Sequence, residues 1–320
     1  MIWAFDDEQV MFRDTLRDLL ASECSPAVVR SVASGESASS LWSRFVDLGI
    51  PSMLVPAGGG GLGLDERWMV LLLEELGYAA VPHPIVETAA VAMPIVYDMV
   101  PNGATISTDL GSGLVPFAAV TEWFLLRTSV GAILAHRDDC VIELASTTDP
   151  SRRAGYVRGI GEDLDIDSEL AFDRGAWATA AYLVGLAQRM IDLSVDYVSQ
   201  RVQFGVPVGS FQAVKHHLAD AAMQCTFARP AVHRASWSLA TNQPTRRRDV
   251  SMAKAMASTA AGVAARQALQ CHGAIGYTVE HDLHLFLKRS WALQRAWGDV
   301  ALHRRRVAQQ LGLAPIAGHE

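Results

Sequence analysis

The sequence predicts a mainly helical protein with a small β domain in its middle. Three observations carry this reading. Leu183, Leu186, Met190, Leu193 and Tyr197 fall at i, i+3, i+7, i+10 and i+14, one apolar stripe along a long helix. Short apolar runs at Trp123 to Thr128, Gly131 to His136 and Cys140 to Ala145 are separated by Gly131 and Asp138-Asp139, as hairpin turns would separate strands. Helical spacing with cap and stop residues returns on both sides of that stretch.

Residues 1–102 read as a helical domain. Asp6 can cap the first helix, with Gln9 as its capping-box partner, and Phe12, Leu16, Leu19 and Leu20 recur at helical spacing. A second helix is expected near Ser40 to Leu48, stopped by Gly49. Gly58 to Gly61 and Gly63 form a loop. No Gly-Lys-Ser/Thr follows, so a helix connector is expected rather than a phosphate cradle. A third helix spans Asp65 to Gly77, with Trp68, Leu71, Leu72 and Leu76 inward. Val81-Pro82-His83-Pro84 is a rigid break, and Ala89 to Val100 a buried helix. Residues 103–167 form the β domain, with a further strand at Tyr156 to Ile160. Residues 168–320 return to helices: one carrying the Leu183 stripe, then Phe211 to Ala240, Asp249 to Cys271, and Asp282 to about Leu311. Four long helices with short connections predict an antiparallel four-helix bundle.

Composition narrows the function classes. A net charge of −7 over 320 residues argues against nucleic acid, which needs a basic face. Arg304-Arg305-Arg306 is too short to change that, and Arg246-Arg247-Arg248 reads as a solvated loop. No run reaches the ~18 apolar residues of a membrane span. The start Met1-Ile2-Trp3-Ala4-Phe5-Asp6-Asp7-Glu8 is no basic leader. Cys24, Cys140, Cys225 and Cys271 form no CxxC pair, so free thiols and a cytoplasmic location are expected. His216-His217 lack a third ligand nearby, so no metal is expected. No nucleophile-elbow sequence supports Ser/His/Asp catalysis.

Two blocks carry the chemistry. Arg201-Val202-Gln203-Phe204-Gly205-Val206-Pro207-Val208-Gly209-Ser210-Phe211-Gln212 joins two helices. Gly205, Pro207 and Gly209 account for the turn. Arg201, Gln203, Phe204, Phe211 and Gln212 are not needed for turning and suit a ligand. Taken alone, Arg201 reads as a helix C-cap paired with a surface carboxylate. The second block is Gln270-Cys271-His272-Gly273-Ala274-Ile275-Gly276-Tyr277-Thr278-Val279-Glu280, where His272 reads as a helix-end hydrogen bonder.

Together the blocks resemble the carboxy-terminal domain of the acyl-CoA dehydrogenases, FAD enzymes that desaturate acyl-CoA thioesters. Val55-Pro56, Gly60-Gly61-Leu62-Gly63-Leu64 and Glu74-Glu75-Leu76-Gly77 resemble the family's amino-terminal helical domain. The resemblance implies that the first block reaches the adenosine end of FAD held by a neighbouring subunit, and the second that cofactor's diphosphate. The cofactor-binding residues so implied are Arg201, Gln203, Phe204, Phe211, Gln212, Gln270 and Gly273. An arginine fork suits phosphate oxygens, glutamines both donate and accept, and Gly273 lets backbone come close. Ala274 stands where the family has a second glycine.

The chain departs from the family where the reaction needs a carboxylate to remove the α proton. The usual position falls in Ala296-Trp297-Gly298-Asp299, on Trp297. The alternative position, ahead of the long helix's Val184-Gly185-Leu186, falls on Gly175. Neither accepts a proton, so no catalytic residue is assigned. Asp173, which otherwise reads as a helix cap, and Asp299 are displaced candidates. The β domain is shortened and lacks the segments that line the flavin ring. This layout resembles the short subunits of bacterial heterotetrameric acyl-CoA dehydrogenases of steroid catabolism. It implies a full-length paralogue that holds the ring and base, and an acyl-CoA substrate. The alternatives are a self-sufficient homo-oligomer using Asp299 or Asp173, and a non-catalytic relic.

Overall fold

The computed structural model describes residues 4–111 and 113–313. Asp6 caps α1 (Asp7–Glu23) through the Gln9 amide, and Gln9 answers through its side chain, as the capping box requires. Two short helices follow, α2 (Pro26–Ala33) and α3 (Ser39–Asp47). α2 went unread in the sequence, although Pro26 at its first turn is a start signal. Asp65 caps α4 (Glu66–Tyr78). The expected buried helix over 89–100 is a buried π-helical turn, Val86–Ala92, running into α5 (Met93–Val96). Pro94, without an N–H, sits in that short α5.

The β region holds β1 (Ile106–Thr108), β2 (Trp123–Arg127), β3 (Ala132–His136), β4 (Cys140–Leu144), β5 (Gly155–Gly159) and β6 (Glu162–Leu164). One sheet has the order β1-β2-β3-β6, with β1 parallel to β2 and the other pairs antiparallel; β4 and β5 form a separate ribbon. β1 and β6, three residues each, are too short to show an alternating pattern.

Asp167 caps α6 (Ser168–Gln200). A hairpin of β7 (Val202–Gln203) and β8 (Val206–Pro207) leads to α7 (Gln212–Ala240) and α8 (Arg246–His272). The fourth bundle segment, expected as one helix, is two: α9 (Leu283–Arg295) and α10 (Val300–Gln310). They part where Trp297 and Gly298 take positive φ values of 56° and 89°. The Arg246-Arg247-Arg248 run is not a loop. It is the first turn of α8, ion-paired to Asp173, Glu169 and Asp249 in turn. One apolar core runs from α1 to α9, and Val115, Ala118, Phe124 and Leu126 form a smaller one by the sheet.

Helices α4 and α6 approach through glycines. A Cβ on Gly185 would lie 1.9 Å from the Glu74 carbonyl oxygen, and one on Gly77 2.1 Å from that of Tyr182. Gly185→Ala should therefore cost about 1–3 kcal/mol, because backbone cannot rotate aside as a side chain can. Alanine's gain of about 1 kcal/mol in helix propensity is too small to offset this. A denaturation midpoint at or above wild type would refute the close crossing.

Candidate site at the end of the bundle

Helices α6 and α8 run side by side in the same direction, with α7 returning between them. Their C-termini therefore share one end of the bundle, and rings bridge them there: Tyr197 stacks on His272 with centroids 4.5 Å apart. The two sequence blocks leave from this end. Arg201 is the C-cap of α6, its N–H bonded to the Tyr197 carbonyl. Its carbonyl accepts from Val208 N at 2.7 Å, which closes the hairpin. The turn residues Phe204 and Gly205 have φ of 52° and 82°. Two consecutive left-handed residues suit a two-residue hairpin, but a bulky residue there is strained. Phe204 bears that strain with its ring 92% exposed and edge-on to Phe211 at 6.3 Å.

All seven predicted residues lie on the surface of these two blocks. Arg201, Gln203, Phe204, Phe211 and Gln212 belong to the hairpin side and are exposed; Gln270 and Gly273, also exposed, end α8. Among the described residues none makes a side-chain hydrogen bond or ion pair with Arg201, Gln203, Gln212 or Gln270, so their donors are unspent. Arg201 caps with its backbone, and among the described residues no carboxylate pairs with it. Gly273 has φ 62° and ψ −138° with open space at its Cα. His272 is the helix-end hydrogen bonder expected, donating from Nδ1 to the Ala268 carbonyl at 2.8 Å. The sequence did not single out Tyr197 or His281 as part of this end; their rings meet His272 only through the tertiary fold.

The two positions where a base was sought, far apart in sequence, meet in space. A Cβ on Gly175 would lie 2.3 Å from the Trp297 indole, and one on Gly111 2.7 Å from it. Trp297 N–H donates to the Gly111 carbonyl at 3.0 Å, and the residue is only 2% exposed. The indole thus fills the space beside Gly175. The displaced carboxylates are committed elsewhere. Asp173 is not the cap expected of it: inside α6 and fully buried, it pairs with Arg306 at 2.7 Å and Arg246 at 3.1 Å. Asp299 caps α10 by accepting from Leu302 N at 2.8 Å.

The break carrying Trp297 is held by two buried nitrogen donors. Lys254 Nζ donates to the carbonyls of Gln294 at 3.2 Å and Gly298 at 3.0 Å and to Ser258 Oγ. His303 Nε2 donates to the Trp297 carbonyl at 2.8 Å. Burial pushes the Lys254 ammonium down to about 7, against a small opposing pull from Asp299. The folded chain therefore sheds this proton near neutrality, whereas the unfolded chain keeps it to about 10.4. Stability should rise with pH across that window by up to about 1.4 kcal/mol per pH unit from this one group. In Lys254→Met that component should vanish. Equal slopes for wild type and variant in urea titrations would refute it.

A second buried cluster locks the three regions together. Arg289 pairs with Asp149 and donates to Tyr182 Oη, Ser151 Oγ and the Val81 carbonyl, all buried. Arg152 faces Glu87 of the π-helical turn at 3.7 Å. Burial raises the Glu87 carboxyl, opposed by Arg152. Burial would likewise raise Asp149, but Arg289 and Ser151 hold it below the ordinary carboxylate range. No group of three or more metal-type ligands occurs among the described residues, and no helix there is long and apolar enough to cross a membrane.

A helical front, a small sheet and a closing helix bundle define a mainly helical class of protein with a small β region. Residues 6–99 match the acyl-CoA dehydrogenase N-terminal domain and residues 167–312 the C-terminal domain. The chain belongs to the acyl-CoA dehydrogenase family, whose cofactor is FAD. It is 31% identical over 317 residues to acyl-CoA dehydrogenase IpdE2 of Mycolicibacterium smegmatis, covering 95% of this chain and 99% of that one. Its fold is shared by the ChsE4-ChsE5 complex from Mycobacterium tuberculosis, with a TM-score of 0.84 and 20% identity over 98% of this chain and 100% of that one. A variant of the Tcur3481-Tcur3483 steroid ACAD also shares it, with a TM-score of 0.84 and 21% identity over 96% and 98%.

Proposed function

We propose that this chain is the cofactor-gripping subunit of a hetero-oligomeric FAD-dependent acyl-CoA dehydrogenase that desaturates a bulky, steroid-derived acyl-CoA. A full-length paralogue supplies the ring pocket and the carboxylate base. The observation that carries this is the indole of Trp297 packed against Gly175, which closes both base positions in a chain whose Arg201, Gln203, Gln212 and Gln270 remain unspent.

The fit to FAD is therefore divided. The nucleotide tail suits the bundle end. Arg201 would hold phosphate oxygens, and Gly273 would offer open backbone to the diphosphate. Phe204 and Phe211 would cover the adenine from water, with Gln203, Gln212 and Gln270 donating and accepting around it. The reactive ring does not suit this chain's own centre, where the space is taken by an indole and the nearby Asp173 and Asp299 are already bonded. When bound, FAD supplies the hydride acceptor of the desaturation. The chain's residues orient its tail and exclude water from it. The ChsE4-ChsE5 structure is that of a complex, and the Tcur3481-Tcur3483 protein is a steroid ACAD; both support a paired assembly and a steroid substrate class for this chain.

Co-expression with the full-length paralogue, followed by sizing and a visible spectrum, tests the assignment. A yellow hetero-oligomer is expected, and a colourless preparation of this chain alone. Arg201→Ala should weaken FAD retention in the complex by about 1.5–3 kcal/mol, the worth of a charge-assisted hydrogen bond. Unchanged affinity would remove the assignment of Arg201.

A further inference from the structure

Three rings lie beneath the exposed end of the bundle. His272 stacks on Tyr197 at 4.5 Å and 16° and meets His281 at 4.5 Å and 65°; Tyr197 meets His281 edge-on at 5.9 Å. Each ring belongs to a different segment. Tyr197 lies one helical turn before Arg201, His272 directly precedes Gly273, and His281 leads into α9.

The Leu283 hydrogen bond requires a neutral His281, whose Nδ1 must accept. His272 Nδ1 donates to the Ala268 carbonyl, a bond that a neutral and a protonated ring both make; in the neutral ring its Nε2 is a bare lone pair. That atom is buried without a partner in a residue only 4% exposed. His281 Nδ1 accepts from Leu283 N at 3.1 Å, the first residue of α9. A proton added to His281 would occupy Nδ1 and remove that acceptor. A proton added to His272 would sit on Nε2, where no acceptor waits and a second imidazole lies alongside.

The surrounding groups do little to compensate. From α6 the facing group is the Tyr197 phenol ring. From the segment before α9 it is Asp282, which pairs with Arg30 of α2 and is shared with His284 of α9. Burial lowers both histidines below their ordinary range. For His272 the nearby His281 adds to this and the Ala268 bond opposes it; for His281, Asp282 opposes it.

We propose that Tyr197, His272 and His281 are a positioning latch that holds the Arg201 hairpin and the Gly273 turn as one surface, and that lets go when either imidazole takes a proton. The functional side rests on the reading of that surface as the grip on the cofactor tail. The sign follows from the lowered folded values. The latch is fully stabilised above the unfolded histidine value of about 6.5, weakens as pH falls below it, and is lost as pH falls through the lower folded values.

Hydrogen exchange on the full chain tests the latch itself. Protection factors, corrected for intrinsic rates, are compared at about pH 7.5 and about pH 5.5, either side of the histidine range. Residues 198–211 and 272–283 should lose protection together by about tenfold or more in acid, as one locally opening unit. His272→Phe keeps the stack without a titrating nitrogen, and His281→Asn keeps an acceptor for Leu283 N. Each should blunt the acid effect. Equal protection at both pH values in wild type, or the same loosening in both variants, overturns the latch. FAD retention in the co-expressed complex is then followed over the same range. A fall in acid for wild type, blunted in both variants, supports the whole proposal. If exchange behaves as expected while FAD retention ignores pH, the latch stands and the cofactor-tail reading of the surface fails.

Discussion

Arg289→Ala should lower the unfolding free energy by about 3–5 kcal/mol, because it strands a buried charge. Asp149 is 3% exposed and would keep only Ser151 as a hydrogen-bond partner of its carboxylate, with Arg152 as the remaining nearby charge. Tyr182 Oη would lose the donor it accepts from, and the Val81 carbonyl one of its bonds. These groups come from the helical front, the β region and the bundle, so the loss should be global. Urea denaturation followed by circular dichroism would show it as one cooperative transition at lower denaturant. Replacing Arg289 and Asp149 together by Met and Leu should recover much of the loss, since two matched apolar groups leave no buried charge unpaired. If the single variant cost under about 1 kcal/mol, the cluster would be a solvated surface feature, and that cannot be squared with its burial.

Trp297→Ala should cost about 3–5 kcal/mol, the range for deleting a buried tryptophan. The indole is what fills the space against Gly175 and Gly111, and glycines carry no side chain with which to close the gap. The functional consequence is as informative as the thermodynamic one. Opening this space restores no carboxylate, so the variant alone should remain colourless and inactive toward acyl-CoA. Trp297→Glu places a carboxylate there, and on the proposed division of the cofactor site it too should gain no flavin. Flavin uptake by either variant without a partner would show that the chain's own centre is merely plugged rather than dismantled.

The cap of the first helix was legible in the sequence because it is local: Asp6 and Gln9 act within three positions of each other. The Leu183 stripe was legible for the same reason: side chains on one helix face share one environment. The fourth bundle segment was misread as a single helix. Its period continues across the break, and only the contacts of Trp297 with Gly111 and Gly175 require the chain to turn there. Arg246 and Arg247 look solvated in the sequence because their partners Asp173 and Glu169 lie far back in α6. The Arg289 cluster gave no local signal at all, since Arg289 lies more than a hundred residues from each of its partners.

By itself the sequence determined the family and the helical front and bundle. Those properties are set by short-range periodicity and by side-chain chemistry. Only the tertiary structure decided that the two base positions coincide and are filled by an indole. Only it decided that Asp173 is bound between two arginines, and that three rings join the hairpin to the Gly273 turn. Each of these depends on which distant segments share a volume, and close packing admits one occupant to each such volume.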